Sequence, residues 1–98
     1  MDKELSDLVL KTFGIQHQLD IGIEELAEGI QCISKLKRYH NGNINTNEIV
    51  LKDKLAQEIA DIYLSLSHLI VHYDMQKTID MFYSAKEKRL YERVEERK

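Results

Sequence analysis

The sequence has no proline, one cysteine and four glycines among its 98 residues. Because proline breaks helices and glycine weakens them, their scarcity favours long helices and argues against a loop-rich or sandwich fold. A single cysteine permits no internal disulfide, which indicates a reducing compartment. There is no apolar signal core near the first residue and no apolar run of transmembrane length, so we expect a cytoplasmic protein that does not enter a membrane.

A large excess of charge of either sign is also missing. The formal net charge is −3 at pH 7, which argues against general binding to nucleic acid or to anionic membranes. Hydrophobic residues make up 43% and charged residues 32%, a balance typical of soluble helical proteins. We expect residues 1–98 to form one small domain, able to bury only a modest core by itself.

Apolar residues recur at helical spacing over four segments. They predict helices at residues 2–13, 15–39, 48–72 and from 75 to near the C-terminus. Asp2 and Asp74 are candidate N-caps of the first and fourth helices, Gly14 would end the first, and residues 40–47 form a loop. The prediction is an all-α fold, a bundle of three long helices plus a short N-terminal helix.

The two central helices each carry more than one apolar stripe. One stripe of the second helix consists of Leu19, Ile23, Leu26, Ile30 and Ile33. The matching stripe of the third helix consists of Leu55, Ile59, Ile62, Leu66 and Leu69. A further stripe of the second helix contains Ile21, Cys32 and Leu36 together with two acids. This is more apolar surface than one helical hairpin covers, so we expect oligomerisation into a homodimer or homotetramer.

Two pairs of acids interrupt these apolar helices, Glu25 with Glu28 and Glu58 with Asp61. Residues three apart in a helix share a face, so each pair directs two carboxylates the same way. Four carboxylates on facing helices make a site for a hard cation, and a metal or shared protons would offset their mutual repulsion. The alternative is that they are ordinary surface acids, because this spacing is common on helices.

These motifs resemble those of the MazG-like all-α nucleotide pyrophosphohydrolases, which include dimeric dUTPases and phosphoribosyl-ATP pyrophosphohydrolase. The signature E-E-x-x-E … E-x-x-D is matched by Glu24, Glu25, Glu28, Glu58 and Asp61. The aromatic-glycine pair at residues 13–14, the basic segment at 35–38 and the basic C-terminal helix are similar too. The resemblance extends from about residue 13 to residue 93. The segment between the motifs is slightly longer than usual, and the loop at 40–47 would absorb the difference.

The resemblance implies magnesium-dependent hydrolysis of a nucleoside triphosphate to the monophosphate and pyrophosphate, with a canonical or modified dNTP as the expected substrate. It implies that Glu25, Glu28, Glu58 and Asp61 hold Mg²⁺ against the phosphates. Glu24 or Glu28 would orient or deprotonate the attacking water. Such chemistry depends on charge neutralisation and a positioned water more than on covalent catalysis.

Five residues are candidates for binding the substrate. They are Phe13, Lys35, Lys54, Lys86 and Arg89. Lys35 lies about 10 Å along the helix from Glu28, a distance that suits a triphosphate. Lys54 lies one turn before Glu58 and either contacts a phosphate or forms an ion pair with that acid. The resemblance implies that Lys86 and Arg89 close over the phosphates and that Phe13 stacks on the base.

Other metal chemistry is not indicated. The four histidines form no ligand cluster with Cys32, which argues against zinc, and neither acid pair has the Glu-x-x-His pattern of di-iron bundles. Two alternatives to the expected reaction remain. One is hydrolysis of phosphoribosyl-ATP, and the other is a non-enzymatic helical interaction module whose acids are simply exposed.

Overall fold

The computed structural model describes residues 2–98, which contain four helices and no strand. The helices are α1 Lys3–Phe13, α2 Ile15–His40, α3 Glu48–His72 and α4 Gln76–Glu96. The prediction of an all-α fold is therefore confirmed, and the four predicted segments correspond to these helices. Within the described range no helix is both long and apolar enough to cross a membrane.

Local chemistry explains several of the helix ends. The Asp2 carboxylate accepts a hydrogen bond from the Leu5 amide at 3.0 Å, and the Asn47 side chain accepts one from the Ile49 amide at 2.7 Å. Gly14 separates α1 from α2 with a φ of 87°, a conformation that glycine adopts without steric cost. The prediction that Asp74 caps α4 is wrong. Asp74 has a φ of 51° and forms the left-handed turn after α3, and Met75 precedes α4 without a side-chain cap.

Helices α2 and α3 form an antiparallel pair joined by residues 41–47. Gly22 faces Leu69, whereas Gly29, further along α2, faces the earlier residue Ile62. Both glycines are buried. Because the glycines carry no side chain, Leu69 and Ile62 of α3 can pack close to the α2 backbone at these two points.

Alanine substitutions at the two glycines are expected to differ. Gly22→Ala should raise the free energy of unfolding by about 1 kcal/mol, because alanine favours the helix. Its new Cβ would lie 3.6 Å from Leu69 Cδ1, an ordinary contact. In Gly29→Ala the Cβ would lie 2.7 Å from Ile62 Cδ1, so Ile62 must move and the gain should shrink or reverse. Chemical denaturation at one protein concentration compares the two variants, and equal gains would contradict the close approach at Gly29.

The most buried side chains are largely polar. Ser6 is fully buried, and Gln18, Ser65 and His68 are 5%, 5% and 6% exposed, while Leu51 is the one large apolar residue in 2–98 with comparable burial. Ser6 Oγ and His68 Nδ1 are hydrogen-bonded at 2.8 Å. Because Ser6 belongs to α1 and His68 to α3, this bond joins two helices that are far apart in the chain.

Much of the predicted apolar surface lies outside this small core. Four residues of the α2 stripe are exposed, and Ile23 and Ile30 reach 68% and 66%. The α2 face that packs on α3 is instead the one with the acids and glycines. Helix α4 buries none of its residues. The radius of gyration, 17.1 Å, exceeds the value of about 13 Å typical of a compact domain of this length.

Candidate functional site

Three of the predicted metal ligands converge between α2 and α3. Glu25 on α2 and Glu58 and Asp61 on α3 each offer a carboxylate oxygen within 4.8 Å of the others. Glu58 and Asp61 are three residues apart, so one face of α3 directs both toward α2. Glu25 and Glu58 are partly buried, and Asp61 is exposed.

The fourth predicted ligand, Glu28, lies beside Glu58 but outside that group of three. Glu25 and loss of solvent raise the pKa of Glu58, and the negative charge of the neighbouring Glu28 raises it further. Glu28 is exposed, as is Glu24, the other candidate for handling the attacking water. The site is thus a core of three carboxylates with a fourth at its edge.

Two buried oxygens of this site lack partners. Glu25 Oε2 and Glu58 Oε1 have no hydrogen-bond partner among residues 2–98. Ionised carboxylates only accept hydrogen bonds, so the two side chains cannot satisfy each other unless a proton is shared. The adjacent Glu25 carboxyl group, which favours a shared proton, together with loss of solvent and the charges of Glu28 and Glu25, raises the pKa of Glu58 from 4.5 to about 7. The arrangement accepts either a proton or a hard cation.

The contribution of Glu58 to the free energy of unfolding of the metal-free protein is expected to fall as the pH rises from 4.5 to about 7. In this window the folded chain keeps a proton on Glu58 and the unfolded chain does not, so rising pH favours unfolding. The stabilisation is fully present below the window and is lost above it. Magnesium competes with that proton, so the rise in Tm on adding magnesium should be larger above pH 7 than below pH 4.5.

The Glu58 contribution is isolated by comparing wild type with Glu58→Gln. The difference in unfolding free energy between them should change with pH inside the window and stay constant outside it. Asp53→Asn is a suitable control, because Asp53 is an exposed acid of α3 that interacts with Gln57 outside the cluster. A difference between wild type and Glu58→Gln that is independent of pH would contradict the raised pKa.

Two of the three carboxylates, those of Glu25 and Asp61, form one end of an open cleft between α2 and α3, with a volume of about 220 Å³. Its lining consists of Gln18, Ile21 and Glu25 on α2 with Asp61, Leu64, Ser65 and His68 on α3. Because the helices are antiparallel, Glu25 and Asp61 lie at one end and Gln18 and His68 at the other. The second end is next to α1, through the Ser6–His68 hydrogen bond.

The candidate substrate-binding residues do not form a cluster as the acids do. Lys35 and Lys54 are exposed, and Lys54 forms no ion pair with Glu58, since the one ion pair within residues 2–98 joins Lys98 to Glu95. The ion-pair alternative for Lys54 is therefore not realised. Phe13 is exposed, with its ring centroid 5.4 Å from that of His17.

The basic residues of α4 lie apart from the carboxylates. Lys86 and Arg89, with Leu90 and Arg93, line a separate open cleft on α4 itself. None of them lines the cleft between α2 and α3. Within one chain, the fold does not bring these cations to the acids.

Three residues of the cleft were not predicted from the sequence. Gln18, Ser65 and His68 have the required spacing, since Gln18 is seven residues from Glu25, and Ser65 and His68 follow Asp61 by four and seven. Helical spacing therefore placed them on the same faces as the acids. Helical spacing does not show that these three side chains are buried, because their burial depends on α1 covering this end of the cleft.

Comparisons with known proteins leave the family resemblance as a prediction. No family model matches the chain, and no curated protein or solved structure matches it either.

Proposed function

We propose that the protein is a magnesium-dependent nucleoside triphosphate pyrophosphohydrolase, which converts a canonical or modified dNTP to the monophosphate and pyrophosphate. The observation that carries the proposal is the pair of buried, partnerless oxygens on Glu25 and Glu58 beside Asp61. Leaving buried carboxylate oxygens unpaired is costly, so a chain that collects them needs a compensating positive charge. All-oxygen ligation suits Mg²⁺.

Each acid has a role in this proposal. Glu25, Glu58 and Asp61 hold the cation, with Glu28 completing the set at the edge. When bound, magnesium neutralises charge on the phosphates. Glu28 or its neighbour Glu24 accepts a hydrogen bond from the attacking water and takes its proton as the phosphoanhydride bond breaks. Both side chains are exposed, so a water can reach them.

In this proposal the basic side chains bind the phosphates. Lys35 and Lys54 lie on the two helices that carry the acids, and neither has an ion-pair partner among residues 2–98, so both are free to contact phosphate oxygens. Lys86 and Arg89 are on α4, away from the cleft of their own chain. We propose that they act on the phosphates within an oligomer.

We also propose that the protein is a homodimer or homotetramer. The exposed α2 stripe, an α4 without buried residues and the large radius of gyration support this assembly. Apolar surface arranged as a continuous helical stripe is typical of helix-helix interfaces. A shared bundle would cover the stripe and supply the core that one chain lacks.

The stripe also favours a second candidate, a helical interaction module without catalytic activity. A panel of ribonucleoside and deoxyribonucleoside triphosphates, assayed for pyrophosphate release with magnesium and with chelator, distinguishes the two. The enzyme should hydrolyse at least one triphosphate only with magnesium, and its Tm should rise with the metal. If no triphosphate is hydrolysed and the Tm is the same in chelator and in magnesium, the interaction module is the better description.

A further inference from the structure

The end of the cleft away from the acids is built from buried polar side chains. Gln18, Ser65 and His68 are each at least nine-tenths buried, and all three line the cleft. Burying polar groups is unfavourable unless they find hydrogen-bond partners. Their partners therefore indicate which of them remain available to a ligand.

Two of these side chains have free hydrogen-bonding groups. The Ser65 hydroxyl donates to the Ile62 carbonyl at 3.1 Å, and His68 uses Nδ1 for Ser6. The Gln18 amide and His68 Nε2 have no hydrogen-bond partner in the described part of the chain. Gln18 and His68 thus enter the cleft with unused donors and acceptors.

The Ser6 hydroxyl determines which hydrogen-bonding group His68 presents. Ser6 is fully buried, and Nδ1 of His68 is the only hydrogen-bond partner of its hydroxyl within residues 2–98. If the ring donated instead, the buried hydroxyl hydrogen would have no acceptor, so we assign the hydroxyl as the donor to Nδ1 and the ring hydrogen to Nε2. Burial lowers the pKa of His68, which keeps the ring neutral. His68 presents a donor to the cleft, and Gln18 presents a donor and an acceptor.

The charge of the cleft excludes a phosphate from this end. No lysine or arginine is among the lining residues, and the charged residues present are the acids at the far end. Ile21 and Leu64 add apolar walls between the two ends. His68 follows Asp61 by two turns of α3, or about 10 Å along the helix. The span corresponds to the distance from the phosphates to the uncharged part of a nucleotide.

We propose that Gln18 and His68 bind the nucleoside portion of the substrate, through hydrogen bonds to a base edge or a sugar hydroxyl, and thereby set specificity. The inference rests on the proposed function, which places the triphosphate at the acids. A hydrogen-bonding pocket rejects analogues that lack the matching group, because its buried polar atoms are then left unpaired.

Gln18→Met tests the inference with little risk to the fold, because the Gln18 amide makes no hydrogen bond within residues 2–98 and methionine is similar in size. The Kd of nucleoside monophosphates in magnesium should rise about tenfold or more for the preferred nucleotide, the effect of a buried hydrogen bond. In hydrolysis, KM for the matching triphosphate should rise while kcat changes little. Gln16→Met is the matched control, since Gln16 is an exposed glutamine two residues away on α2.

His68→Asn tests the second contact. The asparagine amide lies as many bonds from Cα as Nδ1 does, so it can keep the Ser6 hydroxyl paired while the Nε2 donor is lost. Affinity should again fall by about tenfold. Analogues that differ in the 2′-hydroxyl or in the base edge identify the group contacted, because the variant no longer discriminates against the analogue that lacks it.

The outcomes separate this inference from the proposed function. If wild type hydrolyses triphosphates but both variants retain its nucleotide affinities and KM values, the nucleoside site is refuted and the proposed function stands. If nucleotides bind with the expected dependence on Gln18 but none is hydrolysed, the proposed reaction fails and the nucleoside site stands. Absence of binding by any nucleotide overturns both.

Discussion

Glu58→Gln is expected to lower magnesium-dependent pyrophosphate release by about 100- to 1,000-fold, because it removes one of the charges that we propose hold the cation. The same substitution should raise the Tm of the metal-free protein near and above pH 7, where Glu58 loses its proton. There it removes a charge held next to Glu25 and Glu28. A loss of activity combined with a gain in stability is the signature of a site where like charges are collected for function.

The control for Glu58→Gln is Asp53→Asn, which neutralises an exposed acid of the same helix. It should retain activity and Tm within the scatter of surface substitutions. Steady-state pyrophosphate release and thermal melts, each with magnesium and with chelator, measure both effects. Retention of full activity in Glu58→Gln would contradict the assignment of Glu58 as a metal ligand.

Ile30→Glu is expected to weaken self-association by about 30-fold or more, the effect of removing a central apolar contact and introducing a charge. Ile30 is 66% exposed in the single chain and belongs to the apolar stripe of α2. Sedimentation velocity over a range of concentrations should show a dimer or tetramer for wild type and smaller species for the variant. Its Tm should fall as well, since the proposed shared bundle supplies part of the core.

Gln31→Glu is the matched control for Ile30→Glu, because it adds the same charge at the next position of α2, off the stripe. It should assemble like wild type. A wild-type protein that is a stable monomer at micromolar concentration would refute the proposed oligomer, whatever the variant does.

The elements of the fold were predictable because the signals are local. Helical periodicity without proline predicts four helices, and Asp2 and Gly14 mark the start and end of α1 as expected. The failure at Asp74 is local as well. The backbone of Asp74 is in the left-handed region, where it closes the turn after α3. Aspartate is common both as an N-cap and in left-handed turns, so the residue type alone does not decide between them.

The packing of α2 was less predictable, since two of its faces are apolar. The glycines decide between them, because Gly22 and Gly29 let α3 approach on the face that carries Glu25. The convergence of Glu25 with Glu58 and Asp61 follows from that contact. The other end of the cleft could not be anticipated, since it depends on α1 meeting α3 through two residues far apart in the chain.

The position of α1 has a consequence for the order in which the protein folds. Helices α2 and α3 are neighbours in sequence, so their contacts close a short loop and form quickly. The Ser6–His68 bond joins residues 62 positions apart, so its formation closes a much longer loop and costs more chain entropy. We therefore expect the carboxylates to meet before α1 docks, and the polar end of the cleft to form last.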